Sequence, residues 1–137
     1  METCLFCEIA AGRIPSRQAF SDEAIVAFHD INPQAPTHLL LIPRHHVGSL
    51  ADLTAADAGL LERLATTAAR LARELGQETA GYRLVINCGE AAGQTVPHLH
   101  LHLLAGRRLG WPPGCRRPAA ATRAVTVTDR RSPARPA

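Results

Sequence analysis

Residues 98–104 read His-Leu-His-Leu-His-Leu-Leu, a spacing that can do chemistry. In an extended strand successive side chains point to opposite faces, so His98, His100 and His102 share one face and Leu99, Leu101 and Leu103 the other. Each imidazole carries two ring nitrogens that need partners, and a strand built for packing alone would carry Val or Ile there. A single tetrahedral ion does not readily take all three rings. Alternate residues sit roughly 6.6 Å apart along a strand, so the outer two are about 13 Å apart, against ligand bonds of about 2 Å. The pattern suits a division of labour: one imidazole as nucleophile, its neighbours as donors to an anion and a leaving group. An ordinary pKa of about 6.5 lets each ring be neutral and nucleophilic, or charged and donating, near neutral pH.

Two further constellations flank this one. Gly89-Glu90-Ala91-Ala92-Gly93-Gln94-Thr95 supplies small residues whose backbone N–H groups can approach a phosphate closely, and Thr95 adds a hydroxyl. Glycine-rich turns are common before strands, so adjacency to the histidines is what gives this loop weight. Near the N-terminus Cys4-Leu5-Phe6-Cys7 places two thiols where they can share one ion. A redox role would need a thioredoxin-like context that is absent.

The elements that must position these groups follow from periodicity. Residues 5–11 form a short helix that Gly12 can end. Residues 24–28 form a strand, and Asn32-Pro33 and Ala35-Pro36 mark a turn. Residues 38–42 are a continuous apolar strand closed by Pro43. Thr54 and Asp57 have capping-box spacing ahead of a long helix whose buried face is Leu60, Leu64, Ala68, Leu71 and Leu75, with Gly76 as its C-cap. Residues 82–87 form a strand, 89–93 a loop, and 96–104 the histidine-bearing strand. Strands in meander around one long helix give an α+β domain with an antiparallel sheet.

Composition bounds the function classes. The chain of 137 residues is one domain, large enough to bury a core. No apolar run approaches the roughly 20 residues of a membrane span, and no signal-peptide pattern opens the chain. Four scattered cysteines (Cys4, Cys7, Cys88, Cys115) fit a reducing compartment, so a soluble, cytoplasmic protein is expected. The net charge of +3 is misleading: residues 115–137 hold six arginines against Asp129, leaving residues 1–114 at −2. That Arg-, Pro- and Ala-rich tail reads as disordered. A solvated extension is favoured over a nucleic-acid-binding arm.

The run Gly93-Gln94-Thr95-Val96-Pro97-His98-Leu99-His100-Leu101-His102-Leu103-Leu104 resembles the signature of the histidine triad superfamily. The resemblance extends from about Cys4 to Gly114. It includes Asp30-Ile31-Asn32-Pro33, Pro36-Thr37-His38, Ile42-Pro43-Arg44-His45-His46 and Trp111-Pro112-Pro113-Gly114. The tryptophan ending, after Gly106-Arg107-Arg108, is similar to that of the histidine triad nucleotide-binding branch.

That resemblance implies an α+β histidine-triad fold with a five-stranded antiparallel sheet, one long and one short helix, and a homodimer with a continuous ten-stranded sheet. It implies a purine nucleotide substrate and hydrolysis of nucleoside 5′-phosphoramidates, with acyl-adenylates as related substrates. His100 would attack the α-phosphorus to form a nucleotidyl-imidazole that water cleaves. His102 and Asn87 would hold phosphate oxygens, with Gly93, Gln94 and Thr95 in the phosphate loop. Thr95 stands where relatives carry a serine, and its extra methyl bears on leaving-group fit. His38 would sit behind His100 and orient its second ring nitrogen. Asp30 would take the ribose hydroxyls, while Phe6, Ile9, Phe28 and Ile31 would line the base pocket.

Simpler readings stand beside these: Asn87 can merely end a strand, Asp30 a turn, and Phe6, Ile9 and Phe28 can be plain core. The resemblance also implies a structural zinc on Cys4, Cys7, His46 and His98, leaving two of the three triad imidazoles for chemistry. Alternative functions are hydrolysis of dinucleoside polyphosphates, which the tryptophan ending disfavours, and a non-catalytic adenosine-nucleotide-binding module. Residues beyond Gly114, where nucleotide-binding relatives usually stop, bear on substrate selectivity.

Overall fold

Four antiparallel pairings build one five-stranded sheet, in which the strands at 18–21, 25–29, 37–43, 101–105 and 82–85 lie side by side in that order. The computed structural model describes residues 3–114. Its elements are α1 (Leu5–Ala10), β1 (Gln18–Ser21), β2 (Ile25–His29), β3 (Thr37–Pro43), α2 (Leu60–Glu74), β4 (Tyr82–Val85) and β5 (Leu101–Ala105). The tail 115–137, Cys115 included, lies outside the described residues.

The central strand explains the topology. Residues 39–42 are all buried, because β3 is covered on both faces. Leu39 and Leu41 point into a core with Leu64, Ala68, Leu71 and Ala72 of α2. Leu40 and Ile42 point the other way, into a smaller cluster with Phe6 and Ile9 of α1. β2 divides likewise, with Ile25 and Ala27 toward α2 and Val26 and Phe28 toward α1. A strand buried on both sides reads as a continuous apolar run instead of an alternating one.

Both helices end as their glycines require. Gly76 (φ +75°) follows α2, and the N–H groups of Gln77 and Gly76 return to the carbonyls of Ala72 and Arg73 at 2.8 and 3.0 Å. That is a Schellman closure with glycine at the left-handed position. Gly12 (φ +81°) closes α1 in the same way, through Arg13 N–H on Glu8 and Gly12 N–H on Ile9.

Several expectations need correction. β1 had no clear signal: Gln18–Ser21 is a mostly exposed edge strand of four residues, too short and polar for alternation to register. The capping box at Thr54 and Asp57 is real, but it caps a 3-10 turn (Ala55–Asp57), and α2 starts only after Gly59. On α2, Leu75 is 44% exposed and Ala72 is fully buried in its place, because the helix ends before Leu75 can turn inward. β4 stops at Val85, since its partner leaves the ladder beyond Leu101. Residues 96–100 are likewise not strand.

Candidate active site

The histidine segment is held outside the sheet. Pro97 has no N–H to donate, His98 N–H turns back to the Val96 carbonyl at 2.8 Å, and Leu99 N–H reaches across to Val47 at 2.7 Å. His98 and His100 therefore precede the β5 ladder, and only His102 lies on the strand. The alternation of faces survives: Leu99, Leu101 and Leu103 join the α2 core, while the histidines lie on the α1 side. Phe6 of α1 meets the rings of His98 and His100 edge-on, at centroid distances of 5.9 and 5.1 Å.

Backbone groups fix the tautomer of each ring. A carbonyl only accepts, so a ring nitrogen facing one carries the proton. His98 Nε2–H donates to the Pro43 carbonyl at 2.9 Å, which leaves its Nδ1 bare. His100 Nδ1–H donates to the His98 carbonyl at 2.7 Å, which leaves its Nε2 bare. Gln34 N–H donates to His38 Nδ1 at 3.0 Å, so the His38 proton is on Nε2 and donates to His102 Nδ1 at 2.9 Å. The proton of His102 is then on Nε2, a buried atom with no partner among the described residues. The relay thus delivers one bare nitrogen, on His100, beside one unpartnered N–H, on His102, with the two rings 5.1 Å apart.

His38 does not sit behind His100, as the sequence suggested. It pairs with Leu104 across the β3–β5 ladder, two residues from His102, and such diagonal neighbours share a face. The group behind His100 is the His98 carbonyl. Asp30 has two roles: Oδ1 accepts Asn32 N–H at 2.8 Å in a turn, and Oδ2 lies 3.4 Å from His38 Nε2. Burial, and then the neighbouring His100 and His38, push His102 down to about 4, against the pull of Asp30. His38 is also lowered by burial, again opposed by Asp30. His102 is therefore a neutral donor at neutral pH.

The loop residues take separate places. An added Cβ on Gly93 would lie 3.7 Å from Asn87 Nδ2, so the two adjoin. It is the φ of +102° that demands glycine there. Gln94 turns its amide inward, accepting Gly89 N–H at 2.9 Å and donating to the carbonyls of Gly48 and Val96 at 2.8 and 3.0 Å. It shapes the loop. Thr95 is exposed and borders a cavity of about 280 Å³ shared with Gly48, Ser49, Asp52, Glu90 and Pro97. Neither this cavity nor a larger concavity of about 670 Å³, around Tyr82, Arg83, Arg107 and Arg108, is lined by any of the histidines. Phe6, Ile9 and Phe28 are buried against one another, whereas Ile31 is fully exposed and meets none of them.

Cys4, Cys7, His46 and His98 converge with every ligand atom within 4.8 Å of the others. Cys4 Sγ is 3.3 Å from His98 Nδ1, and Cys7 Sγ is 3.4 and 3.6 Å from the Nδ1 atoms of His46 and His98. Metal bonds of about 2.3 Å to sulfur and 2.0–2.1 Å to nitrogen give a tetrahedral S···N edge of about 3.6 Å. The donor set, its spacing and the bare Nδ1 of His98 fit a structural zinc ion.

A family model for the HIT domain matches residues 11–109. The chain belongs to the HIT family. The purine nucleoside phosphoramidase of Escherichia coli K12 is 42% identical over 109 residues, covering 80% of this chain and 92% of that protein. An uncharacterized HIT-like protein of Synechococcus elongatus is 46% identical over 113 residues, covering 82% of this chain and 98% of its own. The crystal structure of a HIT family hydrolase from Legionella pneumophila Philadelphia 1 superposes with a TM-score of 0.80 at 50% identity, covering 82% of this chain and all of that one.

For this HIT domain, sequence reasoning missed the groups that set the tautomers. They are the carbonyls of Pro43 and His98 and the N–H of Gln34. All are main-chain atoms, which every residue type supplies, so no side-chain motif announces them. The one available signal was Pro43, the end of an apolar strand just before the Arg44-His45-His46 turn.

Proposed function

We propose that this protein is a nucleotidyl hydrolase that cleaves the P–N bond of purine nucleoside 5′-phosphoramidates through a covalent intermediate on His100. The observation that carries the reading is the pairing of the bare His100 Nε2 with the unpartnered His102 Nε2–H. A nucleophile needs the lone pair, and charge developing on a phosphate oxygen needs a preorganised donor beside it.

His100 Nε2 attacks the α-phosphorus as the P–N bond to the amine breaks, and the amine departs with a proton taken from solvent. Water then attacks phosphorus and returns a proton to solvent, the bond to His100 breaks, and the nucleoside monophosphate leaves. His102 holds a phosphate oxygen through both steps, assisted by Asn87. The His98 carbonyl stabilises the imidazolium of the intermediate through the Nδ1 proton. Thr95 offers its hydroxyl at the leaving-group side, and the free acceptor capacity of Asp30 suits the ribose diol. The phosphoramidase relative in Escherichia coli supports this substrate class.

Cys4, Cys7, His46 and His98 would hold zinc as a crosslink, away from the reacting atoms. Two copies would pair along β4, one of the two edge strands of the sheet. No helix of the described residues is long and apolar enough to cross a membrane.

The test is to quench a reaction with an adenosine phosphoramidate and map the modified residue by mass spectrometry. AMP on His100 is expected. Turnover with the label on any other residue, or the absence of both turnover and adduct, would overturn the reading.

A further inference from the structure

The thiol–imidazole cluster and the nucleophile share a residue. His98 is fully buried and pinned at both ring nitrogens, with Nε2 on Pro43 at 2.9 Å and Nδ1 beside the two thiols at 3.3 and 3.6 Å. Its own carbonyl is the acceptor that keeps the His100 proton on Nδ1. That peptide lies ahead of the β5 ladder, so strand pairing does not fix it. Besides the local His98–Val96 bond, its ties are the ring of His98 and the bond from Leu99 N–H to Val47, the residue next to His46.

A second connection runs through α1. Six residues are too few to hold a helix unaided, yet α1 presents Phe6 edge-on to both His98 and His100. Its C-terminal end is tied by Arg44 to the Ala10 carbonyl at 2.8 Å. At its other end Cys4 caps the first turn with its sulfur on Cys7 N–H, and both thiols point into the cluster.

We propose that a thiophilic divalent ion on Cys4, Cys7, His46 and His98 positions the nucleophile, with His98 and Phe6 as the positioning residues. With the ion bound, the His98 peptide and the first turn of α1 are crosslinked to the 43–47 turn, and His100 is confined to the tautomer with a bare Nε2. Without it both supports loosen and the tautomer protonated on Nε2, which cannot attack phosphorus, becomes populated. The ion itself touches neither substrate nor His100. The kinetic consequence rests on the nucleotidyl-transfer reading above, whereas the tautomer consequence does not.

The experiment compares the full chain loaded with zinc and stripped by a chelator, read by ring ¹⁵N NMR of His100 and by single-turnover reaction with an adenosine phosphoramidate. The loaded protein is expected to show the Nδ1–H tautomer alone, and the stripped protein a mixture. Formation of the nucleotidyl adduct should slow about tenfold or more on stripping, with half-saturation changed less than about twofold, and added zinc should restore both readouts. Should stripping unfold the chain, His46→Ala replaces it. His46 is the most exposed of the four residues, and this variant should show the mixed tautomers at low zinc and recover at higher zinc. A His100 tautomer that ignores zinc overturns the proposal, as does failure of the wild type to retain zinc. A zinc-dependent tautomer without any nucleotidyl adduct supports the positioning role and overturns only the nucleotidyl-transfer reading.

Discussion

The two faces of this sheet are made from the same strands and obey different rules. Toward α2, Ile25, Leu39, Leu41, Leu64, Leu99 and Leu103 form a core in which apolar volume is the requirement. Toward α1, a smaller cluster of Phe6, Ile9, Val26, Phe28, Leu40 and Ile42 adjoins buried imidazoles whose every proton is assigned by a partner. A packed face tolerates approximation, because methyl groups carry no direction. A hydrogen-bonded face does not, because moving one proton to the other nitrogen turns an acceptor into a donor while leaving the packing contacts intact.

The sharpest way to separate the faces is to damage each in turn. His100→Ala should lower turnover by on the order of a thousandfold or more while the fold persists, since the proposed function places the bond-forming atom there. Turnover and melting temperature measured on one preparation check this. Leu64→Ala, on the α2 face, should give the opposite result. A fully buried leucine truncated to alanine costs about 2–5 kcal/mol, while turnover per folded molecule stays at the wild-type level; denaturant titration with parallel assays is the measurement.

Acid discriminates the faces more gently. His102 has its folded pKa lowered to about 4 from an ordinary 6.5, so the unfolded chain binds its proton first as pH falls. Its contribution to stability is therefore present above about pH 6.5 and lost progressively down to about pH 4. His38, lowered in the same direction by burial, adds to the loss. The denaturation midpoint should fall across that window, and replacing His102 with Asn should flatten the fall. The smallest effect belongs to the α2 face. Gly76 has a φ of +75° with open space around it, so Gly76→Ala should cost about 1 kcal/mol from the backbone alone and leave turnover unchanged.

The same contrast explains what the sequence made legible. The α2 face was readable because volume repeats: Leu64, Ala68 and Leu71 follow helical spacing, and Leu99, Leu101 and Leu103 strand spacing. The convergence of the candidate residues was also readable, since His38, His98, His100, His102, Cys4, Cys7 and His46 do gather as two clusters. Their wiring was not. Alternation suggested one strand for residues 96–104, but Pro97 cannot donate to a ladder and Leu99 N–H found Val47 instead. The resemblance places His38 behind His100, whereas its position beside His102 follows from the register across β3 and β5, a non-local property that spacing within one segment does not encode. β1 escaped notice because four mostly exposed residues carry no pattern.

The proton relay from Gln34 through His38 to His102 ends in a neutral N–H, and that has a consequence for how the site releases what it holds. A guanidinium or ammonium attracts phosphate through solvent over a range that dissolved salt screens, roughly 8 Å at physiological ionic strength. A neutral imidazole acts only at hydrogen-bond contact. If His102 holds an anion as proposed, its grip would reside in geometry and depend little on ionic strength. A hydrolase must discharge an anionic product after every turnover. In the proposed function, the donor that would steady the phosphate exerts no long-range pull to hold it back.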